Sequence, residues 1–147
     1  MEGLPVQDAS APSPVDTGLR RAQLAAQVAE DNRGQDIVVL DVRELTTLFD
    51  FFVVATGTSR RQLHAMSEEI DRVLNEQLGD RRLGVEGYEQ SRWILMDYGD
   101  LVVHLFDEET RAYYALEELW ARAKRVPYAS QRPAANSSTD GLSSRPR

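Results

Sequence analysis

The run Phe51-Phe-Val-Val-Ala-Thr56 is apolar for five of its six residues, and no polar residue alternates through it. Side chains of a strand point to its two faces in turn, so a strand of this composition must be covered on both sides. This run calls for a sheet with a layer on each face and sets 51–56 among the inner strands. The β-branched stretch IVVLDV (37–42) reads as a second strand. Only RELTTLFD (43–50) lies between the two. A parallel crossover needs about a dozen residues or more, so these strands are expected to be antiparallel neighbours.

Helical periods flank the strands. Leu19, Ala22, Ala26 and Ala29, with Leu24, Ala25 and Val28 alongside, recur at helical spacing after Asp16 or Thr17 as the cap. Gly34 stands where such a helix stops. Ser59 and Gln62 form an S-x-x-Q capping box, and Leu63, Met66, Ile70, Val73 and Leu74 mark a second buried stripe ending near Gly79. A short strand is expected at 82–86, with the next running back beside it. A last helix carries Tyr113, Leu116, Leu119 and Trp120 on one face. The expected fold is α/β, a mixed sheet of about five strands flanked by helices.

The 147 residues suffice for one domain. Residues 1–15, rich in Pro, Ala and Ser, and residues 127–147, nearly devoid of large apolar side chains, are expected to be disordered tails around a folded unit at 16–126. No run approaches the roughly 20 apolar residues of a membrane span, and the start lacks a secretory pattern, so the expectation is a cytoplasmic protein. Without cysteine, thiolate chemistry and cysteine-ligated metals are excluded. His64 and His104 are far apart in sequence, a poor basis for a transition-metal site. The balance of 17 basic and 24 acidic residues, net −7, argues against a general nucleic-acid binder and suits a basic partner.

The segment 93–106, WILMDYGDLVVHLF, reads as two strands around a tight turn, with Gly99-Asp100 as a Gly-first two-residue loop. That loop pairs Tyr98 with Leu101, Met96 with Val103 and Ile94 with Leu105, all on an apolar face that must be core. The opposite face pairs Asp97 with Val102, Leu95 with His104 and Trp93 with Phe106. Its mixture of aromatic, aliphatic, carboxylate and imidazole groups suits neither open solvent nor a dry interior. Two readings stand. A helix covers the face and Asp97 and His104 form a satisfied buried pair, or the face is an interaction patch anchored by Trp93.

Searches for catalytic sets find little. TGTSRR (56–61) opens a helix but matches neither phosphate-binding glycine pattern. Asp97 and Asp100 are the candidate Mg²⁺ ligands for nucleotidyl transfer, but turn chemistry explains Asp100. Asp97 and His104 share a face without a nucleophile beside them.

Five strings together, GQDIVVLDV (34–42), ATGTS (55–59), GVEG (84–87), WILMDYGDLVVHLF (93–106) and YALEELW (114–120), resemble the ribosomal silencing factor family (RsfS, Iojap-like). The resemblance spans roughly residues 19–120, and Trp93, Asp97, Gly99, Asp100, Val103 and His104 are its most specific element. It implies a nucleotidyltransferase-like sandwich without the catalytic residues, hence a binder rather than an enzyme, with no cofactor. It also implies binding to the large ribosomal subunit through ribosomal protein L14, which blocks joining of the small subunit and lowers translation under nutrient limitation. A homodimer is compatible with it. The hairpin pairing gives Trp93, Leu95, Asp97, His104 and Phe106 as the expected partner-binding residues; of these the resemblance matches Trp93, Asp97 and His104, with Phe106 at a more variable family position.

Overall fold

The computed structural model describes residues 14–128. The tails expected at 1–15 and 127–147 therefore lie almost wholly outside the described residues. In chain order the elements are α1 (Pro14–Asp31), β1 (Gln35–Asp41), β2 (Phe51–Gly57), α2 (Arg60–Leu78), β3 (Gly84–Glu86), β4 (Trp93–Asp97), β5 (Leu101–Asp107), α3 (Glu108–Tyr114), α4 (Leu116–Leu119) and β6 (Lys124–Arg125). The strands form one sheet in the order β3-β4-β5-β2-β1-β6. β2 and β5 are parallel and the other pairs antiparallel. The sheet has six strands rather than five, because two residues of β6 pair with Leu40 and Asp41 at the β1 edge.

β2 lies inside the sheet and is buried at every position, as its unbroken apolar run requires. On one face α1 and α2 pack their stripes, including Ala22, Ala26, Leu63, Met66 and Ile70, against Phe51, Val53, Leu101, Val103, Ile94 and Met96. On the other, Phe52, Val54, Val102 and Phe106 meet a thinner layer built from Leu116, Trp120 and Phe49. The apolar hairpin face is thus core, as its pairing predicts.

Four local expectations change. α1 starts at Pro14, so Asp16 and Thr17 lie in its first turn rather than ahead of it; proline is well suited to the first helical position. Past its end, the left-handed backbone falls on Arg33 (φ 67°), not on Gly34. In the capping box Ser59 Oγ accepts from Gln62 N–H at 3.0 Å, but Gln62 Oε1 takes the N–H of Thr58, one residue earlier than the motif assumes. Tyr128, assigned to the tail by composition, is buried in the main core and donates its hydroxyl to Glu30 at 2.9 Å, so the folded unit reaches past 126.

Candidate partner-binding face

The hairpin has the predicted register: Trp93 opposes Phe106, Leu95 opposes His104 and Asp97 opposes Val102. Tyr98 N–H donates to the Leu101 carbonyl at 2.9 Å across the turn. Gly99 has φ 92°, a backbone state that L side chains rarely adopt. Gly87 matters to the same element for another reason. A Cβ there would stand 2.0 Å from the carbonyl oxygen of Trp93, so only glycine lets the preceding loop pass under the start of β4.

The five expected contact residues divide by accessibility. Trp93, Leu95 and Asp97, on β4, are half-buried. His104 and Phe106, on the interior strand β5, are 5% and 0% exposed and cannot touch a partner in this conformation. Leu116 and Trp120 pack over Phe106, and the rings of Trp93 and Phe52 flank His104.

The buried pair supports Trp93 from beneath. The indole ring lies 4.9 Å from Phe106 and 5.9 Å from His104, centroid to centroid. Its Nε1–H donates to His104 Nδ1 at 3.1 Å. An indole can only donate, so Nδ1 is the acceptor and the imidazole proton resides on Nε2. That Nε2 is buried and has no hydrogen-bond partner among the described residues. The ring meets Phe52 edge-on at 5.1 Å. Burial pushes the His104 pKa down to about 4, so the ring is neutral at neutral pH.

Asp97 does not pair with His104. Its Oδ1 accepts the N–H of Gly99 at 2.8 Å, an Asx contact that holds the turn. Asp100 Oδ1 accepts from Arg21 Nη1 at 2.6 Å, and the same guanidinium bonds Asp80 at 2.5 Å and the Tyr98 carbonyl at 2.9 Å. The two aspartates that the sequence offers as Mg²⁺ ligands are thereby committed to the turn and to α1. No group of three or more His, Cys, Asp or Glu among the described residues could hold a metal ion.

The expected last helix is two. Ala115 adopts a left-handed backbone (φ 46°), ending α3 and turning α4 toward the sheet. Arg111 secures the break, donating to Thr56 Oγ1 at 2.7 Å and pairing with Glu117. Leu116 is buried as expected, but Tyr113 and Leu119 are 80% and 76% exposed. Tyr114, half-exposed, packs tilted by 49° on Trp93 at 4.7 Å and meets Tyr113 edge-on at 5.0 Å. Sequence reasoning missed these tyrosines as surface groups. Periodicity carried no signal for this, since adjacent positions can share a buried stripe, as Val73 and Leu74 do in α2.

A model of the family described as "Ribosomal silencing factor during starvation" matches residues 15–146. The ribosomal silencing factor of Halalkalibacterium halodurans is 41% identical over 104 residues, covering 71% of this chain and 88% of that protein. A mouse protein named mitochondrial assembly of ribosomal large subunit protein 1 is 34% identical over 99 residues, 66% of this chain and 43% of the mouse protein. A crystal structure of a Chromobacterium violaceum protein superposes with a TM-score of 0.68 at 36% identity, covering 80% of this chain and 98% of that one. The sheet, the hairpin and these matches agree, and the chain belongs to the ribosomal silencing factor family.

Proposed function

We propose that this chain binds the large ribosomal subunit through ribosomal protein L14 and sterically blocks joining of the small subunit, repressing translation when nutrients are limiting. The observation that carries the reading is the half-exposed rim of β4, where Trp93, Leu95 and Asp97 stand together. Family membership supports the ribosome as partner, and the mouse relative's name ties that protein to the large subunit. In this reading Trp93 is the aromatic anchor, Leu95 adds apolar contact and Asp97 supplies charge. His104 and Phe106 act through Trp93 by fixing its ring. The role is binding, without catalysis or cofactor, in the cytoplasm. Specific nucleic-acid recognition is not part of it, and a homodimer would compete for the same face.

Co-sedimentation with separated subunits tests this. The protein is expected to pellet with large but not small subunits, and to cross-link to L14. Asp97→Asn keeps an oxygen for the Gly99 N–H, so its fold should be unchanged while affinity drops about tenfold, the loss of one charge-assisted contact. Trp93→Ala should cost about 2 kcal/mol or more of binding. Wild-type protein that stays in the supernatant with large subunits would overturn the reading.

A further inference from the structure

A groove of about 400 Å³ opens between the start of β4 and α3, lined in part by Arg92, Trp93, Glu109, Tyr113 and Tyr114. Three aromatic rings in series form one wall, Trp93 on Tyr114 and Tyr114 on Tyr113. Their faces carry negative quadrupole density, which attracts a cation within about 6 Å. Glu109, exposed in the first turn of α3, adds a full negative charge. Glu108 and Glu118 on the same short helices, in a chain of net charge −7, add to the field around it, while Glu117 is paired with Arg111.

We infer that this groove takes one basic side chain, an arginine or lysine, from a basic protein partner. The aliphatic stem lies along Trp93 and Tyr114, and the charged head sits between Tyr113 and the Glu109 carboxylate. Arg92 also lines the groove, so the inserted head sits at the Glu109 end while the Arg92 guanidinium donates to a backbone carbonyl of the partner. The 80% exposure of Tyr113 fits this occupant, because that ring contributes little to the core yet extends the aromatic wall outward. The inference deepens the ribosomal reading by adding α3 to the hairpin as part of the contact, and that part of it rests on the ribosomal reading.

Two measurements test it. In the first, Nα-acetyl-arginine methylamide is titrated into full-length protein, following the Trp93 indole and tyrosine ring signals by NMR. The signals should shift and saturate at millimolar probe, Glu109→Gln should weaken binding several-fold, and the neutral citrulline analogue should leave them unmoved. No shift, or an equal shift with citrulline, overturns the inference. In the second, large-subunit binding should fall at least tenfold in Glu109→Lys and in Tyr113→Ala, both exposed positions where melting should not change. Wild-type affinity in both variants overturns the assignment of the groove while leaving the ribosomal reading intact. Arginine-specific shifts in a protein that binds no large subunit would support the groove and defeat the ribosomal reading alone.

Discussion

Trp93 donates its indole N–H inward to His104 and lays its ring against Tyr114 on the outer side. Each contact restricts the ring, so the side chain is presented in one orientation at low entropic cost to a partner. The arrangement requires a neutral His104, because a protonated Nδ1 has no lone pair for the indole. The folded-state pKa of about 4 lies below the ordinary 6.5, so the unfolded chain binds the proton first. Stability should therefore be full above pH 6.5 and fall as pH drops toward 4, by about 3 kcal/mol across that window from this residue. Urea unfolding at pH 7 and pH 4.5 checks it against His104→Phe, which does not titrate there. A wild-type decline no steeper than the variant's would contradict the assignment. Residues 93 and 104 were legible as a same-face pair from strand alternation. Their hydrogen bond was not, because the sequence offered Asp97 as a partner for His104 in one of two open readings and no partner in the other.

The strands were readable because their side chains fill a lattice fixed by the pleat. Once Gly99-Asp100 sets the turn, every pair from Trp93/Phe106 to Tyr98/Leu101 follows. The α3–α4 break was not readable, since residues 108–120 contain neither glycine nor proline. Burial of Leu116 and Trp120 on Val54, Phe106 and Phe52 holds Ala115 in a backbone state that costs an L-residue about 1 kcal/mol or more. Ala115→Gly should relieve that cost and raise stability by up to about 1 kcal/mol, measured by denaturant unfolding. A loss of stability of that size would mean the break is held some other way. Exposure of Tyr113 follows from the same break, which is why this part of the candidate site lay beyond sequence periodicity. β6 was equally hidden, its two charged residues carrying no strand signal until they meet β1.

Across the whole molecule the two faces of the sheet are built for different purposes. α1 and α2 bury most of one face, and Arg21 ties α1 to the hairpin turn through Asp100 and the Tyr98 carbonyl. The Arg21 side chain is about one-tenth exposed while Asp100 is 44% exposed, so the tie is shielded on the Arg21 side and steadies the hairpin against the core. The other face carries only two short helices and leaves the β4 rim half-open. A rigid hairpin held from behind and open at its edge, in an acidic chain, fits a docking module steered to a basic surface. The most direct measurement is subunit joining, followed by light scattering after large subunits are preincubated with the protein and then mixed with small subunits. The account predicts that joined ribosomes decrease in proportion to large subunits occupied, and that Trp93→Ala restores joining at the same concentration. Full joining with the wild-type protein still bound to the large subunit would contradict it.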